Sequence, residues 1–380
     1  MLTGENRLPE SIFAPEGNVV NRLFDVLLRD ADLALAMMFA DTLKRIQNTW
    51  FAAGHRGCCP RCFGDLLIRK GWRRRVVKTS RGTLAVAVLQ AKCKECGRVF
   101  RPMNELIGLP FAKRVLDEFI EKAIHLGIKL SFAKSADLLK RLTSSSLSAE
   151  GIRNKIAQAA ASVEFSSEVD QATVLIDSTK VKAGKKDRGM PVHLAITAAQ
   201  GPQKAGKSTI RKRLLHLSVG AEHPLRARLK ALRPAYLVYD GGPYVDDIPA
   251  HKQRCRWHLV HQLKHYLWQD GVPFDLRGHC QEVLRHILWD KKRGKKRFDH
   301  FINDMAALGL EKSVTHLSQA SDEAFTHYER PGFSYSTTTP LEREMRELNR
   351  RADVGARWSA KGIENILKVL FHLRLNESTA

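Results

Sequence analysis

The chain has 380 residues, a length that by itself indicates two or three domains and a sizeable apolar core. Its 63 Lys and Arg residues outnumber its 40 Asp and Glu residues, which leaves a formal net charge of +23. This excess is too large for a typical enzyme of small-molecule metabolism. It favours a polyanionic partner, nucleic acid ahead of an anionic membrane.

No stretch of the sequence has the character of a membrane span or of an export signal. The most apolar stretch, residues 23–43, contains several Asp and Arg residues, as expected of an amphipathic helix of a soluble protein. The N-terminus lacks the basic and apolar regions of a signal peptide. The seven cysteines include Cys-x-x-Cys pairs, which favour metal binding in a reducing compartment. We therefore expect a cytoplasmic protein associated with the nucleoid.

Two cysteine pairs follow a helical lead-in over residues 1–52. Cys59 and Cys62 form one pair, Cys93 and Cys96 form the other, and strand-like sequence lies between them. Four thiolates from two such turns suit a structural Zn²⁺ ion, so residues 53–106 are predicted to form a zinc β-ribbon. A redox motif and buried structural thiols are the alternatives. Cys58 is a rival ligand, but Cys59 has the two-residue spacing.

Two features of the N-terminal half favour contact with DNA. The predicted ribbon carries Arg73, Arg74 and Arg75 in succession. Residues 107–168 are predicted to be helical, with segments over 111–130, 132–142 and 149–161. The last two resemble a helix-turn-helix in which Arg153 lies on the outer face, where it can reach phosphates or base edges.

Acidic residues end two apolar runs in the C-terminal half. Asp177 ends the run that begins at Val174, and Asp240 ends the run 236–240 before a Gly-Gly turn. Glu342 begins a charged helix. Strands that end in Asp carry carboxylates to one edge of a sheet, and oxygen ligands suit Mg²⁺ or Mn²⁺. Paired metal ions of this kind promote in-line displacement at phosphodiesters.

Other residues compete with this assignment or accompany it. Asp246 and Asp247 are rivals of Asp240, and either Glu344 or Glu347 is close enough to replace Glu342. An Asp after a strand is also an ordinary turn residue. Residues near the three acids that are predicted to hold DNA are Lys180, Lys182, Trp257 and Arg343. Trp257 suits stacking on an unpaired base or a place in the core.

Several short motifs occur in an order that resembles a known family. Asp-Ser-Thr-Lys begins at Asp177, an apolar-Asp-Gly turn contains Asp240, Cys255 and His258 form a Cys-x-x-His pair, and three threonines precede Glu342. With the ribbon and helix-turn-helix before them, residues 55–375 resemble the Mutator-like DDE transposases of bacterial insertion sequences.

This resemblance implies an α/β fold with an RNase H-like catalytic core, preceded by the zinc β-ribbon and the helix-turn-helix. The core would occupy residues 169–249 and 331–380, interrupted by an all-helical insertion over 250–330. Asp177, Asp240 and Glu342 would be the catalytic, magnesium-binding triad. The resemblance favours a structural or DNA-positioning role for Cys255 and His258, although with His261 and His265 they also suggest a second zinc site or a packed cluster.

The function implied is transposition, in which the protein binds the ends of an insertion sequence and catalyses cleavage and strand transfer. The expected cofactors are Mg²⁺ (or Mn²⁺) and Zn²⁺, and no nucleoside triphosphate is needed. The expected partner is double-stranded DNA, as transposon ends and as target. A homodimer or higher oligomer is expected because two ends must be joined, and no membrane partner is expected.

Two other functions compete with transposition. Residues 201–208 match the Walker A pattern, and with Asp240 as Walker B they would make a DNA-associated P-loop ATPase. A P-loop needs a helix directly after it, whereas residues 209–217 read as a strand of a hairpin. The ATPase hypothesis also leaves Asp177 and Glu342 without a role. The third hypothesis is a non-catalytic, zinc-binding DNA regulator.

Overall fold

A computed structural model describes residues 19–52, 58–102, 104, 113–169, 173–181, 189–204, 207–352 and 358–377. The chain divides into two compact units, Met1–Gly127 with Phe132–Arg153, and Ile128–Ser131 with Asn154–Ala380. Among the helices described, none is both long enough and apolar enough to cross a bilayer. The prediction of a mixed α/β fold is confirmed, with a five-stranded sheet in the second unit.

The first unit is built on a three-stranded antiparallel sheet of β1 (Leu67–Thr79), β2 (Gly82–Cys93) and β3 (Val99–Phe100). A long helix, α1 (Val19–Ala52), packs on β2 through Leu43. The buried Gln47 amide of α1 donates to Ala87 O at 2.9 Å and accepts from Leu89 N at 2.9 Å. The predicted helical lead-in and ribbon therefore share one core, although the sequence suggested two segments divided at residue 52.

Three helices complete this part of the chain: α2 (Asp117–Gly127), α3 (Phe132–Leu142) and α4 (Ala149–Ala161). The bounds of α3 and α4 are as predicted. Ser148 caps α4, because its Oγ accepts a hydrogen bond from Gly151 N at 3.0 Å. Ile152 and Ile156 of α4 are buried, whereas Leu142 at the end of α3 is 70% exposed.

The five-stranded sheet of the second unit has the order β6-β5-β4-β7-β8. Its strands are β4 (Thr173–Val181), β5 (Met190–Lys204), β6 (Lys207–Val219), β7 (Tyr236–Tyr239) and β8 (His251–Arg254). The first three strands pair antiparallel, whereas β7 is parallel to β4 and β8 is parallel to β7. Helix α5 (His223–Leu232) leads from β6 to β7 and buries Leu225 and Leu229 against the sheet.

The Walker A pattern lies in the β5–β6 hairpin. Gln203 pairs with Ser208, and Lys204 pairs with Lys207, in the antiparallel register. The predicted hairpin strand over 209–217 is part of β6. Lys207 and Ser208 therefore begin a strand, and they lack the helix N-terminus that a P-loop uses to bind phosphate.

A helical region follows the sheet and has its own apolar core, which includes Leu263, Leu284 and Phe298. Its helices are α6 (Arg256–Gln269), α7 (Phe274–Trp289), α8 (Gly294–Ala307), α9 (Glu311–Ser318) and α10 (Thr326–Glu329). The region begins later than the predicted residue 250, because residues 251–254 form β8. The chain ends with α11 (Thr339–Ala352), which packs on β4, and α12 (Ala360–Glu377), which packs on β6.

Acidification is expected to destabilise the second unit through the buried His316, which stacks on Tyr266. Burial lowers the pKa of His316 to about 4, so the unfolded chain binds more protons between pH 6.5 and pH 4. Stability is therefore lost as pH falls, by about 2 kcal/mol from this group between pH 7 and pH 5. Urea unfolding of His316→Gln should show a smaller loss, whereas the exposed His286→Gln should match the wild type. An unchanged pH dependence in His316→Gln would contradict this assignment.

Candidate catalytic carboxylates and metal sites

Asp177 and Asp240 occupy equivalent positions on neighbouring parallel strands. Leu175 of β4 pairs with Val238 of β7; Asp177 follows Leu175 by two positions, and Asp240 follows Val238 by two positions. Neighbouring strands lie about 4.8 Å apart, so the sheet carries both carboxylates to the same edge. The apolar residues of these strands that precede the acids are buried, apart from the half-buried Tyr236, and this burial anchors the strand ends that bear the acids.

Asp177 lies in a buried and electrostatically crowded position, with 7% of its surface exposed. Its Oδ1 accepts a hydrogen bond from Ser178 N at 2.8 Å and lies 3.8 Å from His258 Nε2. Burial is the main reason that the pKa of Asp177 rises to about 6; His258 opposes the rise, while Asp240 and Glu342 add to it. The three acids therefore share one electrostatic environment.

Asp240 is held by the turn that follows β7. Its Oδ1 accepts hydrogen bonds from Gly242 N at 3.1 Å and from the buried Tyr244 hydroxyl. Gly241 has a φ of +109°, and a Cβ atom there would lie 1.9 Å from the Arg254 guanidinium carbon. Only glycine therefore fits between Asp240 and this arginine, and the Gly-Gly turn holds the carboxylate in place.

Glu342 lies in the first turn of α11. Helix α11 packs on β4, and Asn349 Oδ1 of the helix lies 3.5 Å from Thr179 Oγ1 of the strand. The Oε1 atom of Glu342 is buried and has no hydrogen-bond donor among the described residues. A buried oxygen in this state costs free energy unless a donor or a cation satisfies it. Glu342 therefore presents an oxygen that needs a positive partner.

Two of the four rival acids, Glu344 and Asp247, form ion pairs elsewhere. Glu344 is buried and forms ion pairs with Lys212 Nζ at 2.9 Å and Arg374 Nε at 3.0 Å, which join α11 to β6 and α12. Asp247 forms a surface ion pair with Arg226 at 2.7 Å. These pairings give Glu344 and Asp247 structural roles and leave Glu342 and Asp240 as the acids beside Asp177.

The three carboxylates offer the oxygen atoms that a hard cation takes as ligands, but among the described residues only the four cysteines lie within metal-ligand spacing of one another. A buried carboxyl with a raised pKa, a second carboxylate beside it and an unsatisfied Glu342 oxygen form an excess of negative charge. Oxygen ligands of this kind suit Mg²⁺ or Mn²⁺. Asp177, Asp240 and Glu342 are the residues that would hold the ion.

The four predicted zinc ligands, Cys59, Cys62, Cys93 and Cys96, do come together. Their sulfur atoms all lie within 4.8 Å of one another, and Cys59 Sγ is 3.5 Å from Cys96 Sγ. Four sulfurs bound to Zn²⁺ at about 2.3 Å would be roughly 3.8 Å apart, so the cluster fits a tetrahedral ion. The rival Cys58 is exposed and lies outside the cluster.

The thiolate form of Cys59 is stabilised before any metal is bound. Burial acts to raise the pKa of Cys59, but hydrogen bonds from the backbone N–H groups of Cys62 and Arg61 and from the Cys96 and Cys62 thiols lower it to about 6, while contacts within the cluster raise the pKa of Cys62. Zinc binds thiolates, so this turn is suited to its role as a ligand loop.

Cys255 and His258 lie at the start of α6, and both approach Thr338 Oγ1 at 3.3 Å. A second zinc site, the alternative to a packed cluster, is not formed among the described residues, where the cysteine cluster is the one group with metal-ligand spacing. His261 instead stacks on Trp257 with 4.7 Å between ring centroids. Trp257 is 41% exposed, so it is not a core residue.

The predicted DNA-binding residues of the first unit are mostly at the surface. Arg73 and Arg74 are exposed on β1, whereas Arg75 donates to Lys113 O at 2.6 Å and is partly committed to the fold. Arg153 is exposed on α4 and pairs with Glu150 at 2.5 Å. A surface pocket beside β1 is lined by Arg73, Arg74, Arg75, Val76, Lys78, Arg101 and Arg114.

In the second unit, Lys180 is exposed on β4 and Arg343 is exposed on α11. Lys180 follows Asp177 by three positions, so strand alternation places its side chain on the opposite face of the sheet. Lys182 lies outside the described residues. Exposure leaves Lys180 and Arg343 accessible to a polyanion.

Sequence reasoning missed two residues of the site, Tyr244 and Thr338. Tyr244 follows Asp240 by four positions, but nothing in its type marks it as a partner of that acid. Thr338 lies in a run of three threonines that are equivalent in sequence, and only its burial distinguishes it from Thr337 and Thr339.

The chain was compared with known proteins. No protein-family model matches it, and a search of curated proteins returned no significant match.

Proposed function

We propose that this protein is a DDE-type transposase of the Mutator-like kind. It binds the ends of an insertion sequence and catalyses metal-dependent cleavage and strand transfer of DNA. One observation carries the proposal: Asp177 and Asp240 lie at equivalent ends of neighbouring parallel strands. It is supported by Glu342, which has an unsatisfied buried oxygen and acts on the pKa of Asp177.

Each residue has a separate part in the proposed reaction. The cations would be held by Asp177, Asp240 and Glu342. Tyr244 fixes one oxygen of Asp240, because its hydroxyl donates a hydrogen bond to Oδ1. Bound Mg²⁺ or Mn²⁺ supplies charge stabilisation for the attacking and leaving oxygens of an in-line displacement. Each step replaces one phosphodiester bond by another or hydrolyses it, so no triphosphate is consumed.

The architecture supports an RNase H-like core as part of this proposal. Three antiparallel strands, β4 to β6, are followed by the parallel strands β7 and β8, and α11 carries the third acid onto β4. The helices α6 to α10 lie between the second and third acids, where the resemblance places an all-helical insertion.

The charge and the cysteine cluster support a DNA partner. The net charge of +23 and the pocket of arginines beside β1 suit binding to a phosphate backbone. The four-cysteine cluster would hold a structural Zn²⁺ ion in the same unit. In this proposal, the ribbon and the α3–α4 pair bind DNA while the second unit carries out the chemistry.

The proposal is tested by incubating the full chain with DNA that contains the sequences flanking its own coding region. We expect strand cleavage with Mg²⁺ or Mn²⁺ in the absence of ATP, and no cleavage with EDTA. DNA binding without cleavage under every metal condition would favour the non-catalytic zinc-binding regulator. Cleavage that requires ATP would contradict the proposed mechanism.

A further inference from the structure

The parallel strands β4, β7 and β8 end side by side, and the residues that follow them form a row. The first two residues of this row are acids and the third is not. Tyr239 of β7 pairs with Arg254 of β8, so Cys255 follows at the position beside Asp240. Asp240 itself lies beside Asp177. Cys255 is fully buried, and its N–H donates to Tyr239 O at 2.8 Å. The row therefore contains two acids and one buried thiol, and the thiol contacts a different part of the chain.

Thr338 is the partner of this thiol. Its Oγ1 lies 3.3 Å from Cys255 Sγ and 3.3 Å from His258 Nδ1, and its N–H donates to Cys255 Sγ at 3.3 Å. Cys255 and His258 are three residues apart at the start of α6, a spacing that brings both side chains to one face. Thr338 is fully buried, so its hydroxyl depends on these two partners.

Thr338 is connected directly to the third acid. Its carbonyl oxygen accepts hydrogen bonds from Leu341 N at 2.7 Å and Glu342 N at 3.0 Å, which form the first turn of α11. On the other side, His258 Nε2 lies 3.8 Å from Asp177 Oδ1. The contacts thus join the sheet edge, the Cys-x-x-His pair and the Glu342 turn.

We propose that Cys255 and His258 are positioning residues: their hydrogen bonds to Thr338 hold Glu342 beside Asp177 and Asp240. Cys255 precedes the helical region and Thr338 follows it, so the contacts between them join the two ends of that region. The position of Glu342 then depends on these contacts and not on the long chain between β8 and α11. The inference rests on the proposed function, because it takes the three acids as the metal ligands.

The test measures Mn²⁺ binding to the full-length protein by electron paramagnetic resonance of the free ion. Thr338→Val removes the hydroxyl and keeps the side-chain shape, Thr338→Ser keeps the hydroxyl, and Thr339→Val makes the same change at an exposed neighbour. We expect Thr338→Val to bind Mn²⁺ about 10- to 100-fold more weakly, as for other residues that orient metal ligands. Thr338→Ser and Thr339→Val should stay within about twofold of the wild type.

Amide hydrogen exchange on the same variants gives a readout that needs no metal. Thr338→Val should speed exchange in the first turn of α11, at Leu341 and Glu342, while Thr338→Ser and Thr339→Val should not. Wild-type Mn²⁺ affinity and unchanged exchange in Thr338→Val would overturn the positioning role. If exchange is faster in Thr338→Val but the wild type binds no Mn²⁺, the result would support the positioning contacts and refute the proposed metal site.

Discussion

Asp177→Asn is expected to abolish metal-dependent strand cleavage and to leave DNA binding intact. The substitution removes the negative charge of a proposed metal-ligand oxygen at the sheet edge, while the exposed basic residues keep their positions. A loss of roughly 4 kcal/mol of transition-state stabilisation would reduce the rate at least about 10³-fold. The measurement is single-turnover cleavage with Mg²⁺, together with DNA affinity at the same salt concentration.

The controls separate catalysis from folding. Asp246→Asn makes the same chemical change at an exposed acid after β7, so cleavage should be unaffected. Glu344→Gln should instead lower the free energy of unfolding by about 2 kcal/mol, because the half-buried Lys212 loses a charged hydrogen-bond partner, whereas the more exposed Arg374 contributes less. Cleavage by Asp177→Asn at the wild-type rate would refute the assignment of this acid.

The stability of Asp177→Asn provides a further check. Burial and two neighbouring acids oppose ionisation of Asp177 in the metal-free protein, which is why its pKa is raised. A neutral amide removes that repulsion, so the metal-free variant should unfold at the wild-type temperature or above it. A lost activity that came with a large fall in melting temperature would point to misfolding and not to a missing metal ligand.

Removal of zinc is expected to unfold the ribbon and to weaken DNA binding. The cluster core contains Cys59, Leu67 and Cys93, with few other apolar residues to sustain it. Structural zinc contributes roughly 10–16 kcal/mol to the folding of small zinc domains, far more than this core can replace. Chelation, or Cys93→Ser, should therefore unfold the end of the β1–β2 hairpin around Leu67 and Cys93, as measured by hydrogen exchange, and lower the affinity for DNA.

Two other cysteines serve as controls for the zinc experiment. Cys58→Ser and Cys280→Ser lie outside the cluster and should retain the metal, the fold and DNA affinity. Metal analysis of the purified protein should give one zinc per chain. A protein that loses all of its zinc and keeps both the hairpin and its affinity for DNA would show that the cluster is not a structural metal site.

Local patterns were sufficient where neighbouring residues decide the structure. The bounds of α3 and α4 follow from apolar periodicity and from the Ser148 cap, and the two cysteine pairs indicated their cluster through spacing alone. The strand-like sequence after the Walker A pattern likewise indicated a hairpin. In each case the relevant contacts lie within one helix, one hairpin or one ligand set.

Local patterns failed where the partner is distant in the chain. Residues 251–254 have the sequence His-Lys-Gln-Arg and no strand signal, yet they form β8 because β7 offers a parallel edge. The choice between Glu342 and Glu344 was open in the sequence, since both lie in one charged helix. Lys212 and Arg374 engage Glu344 from another strand and another helix, and this leaves Glu342 beside Asp177.

The sequence by itself determined which residue types were present for the chemistry: two acids at the ends of apolar strands, four thiols in paired turns and a strongly basic chain. Only the tertiary structure decided which of them meet. The parallel register of β4 and β7 aligns Asp177 with Asp240, and burial distinguishes Thr338 from the threonines on either side of it. Register and burial depend on contacts between distant segments, which composition and spacing do not specify.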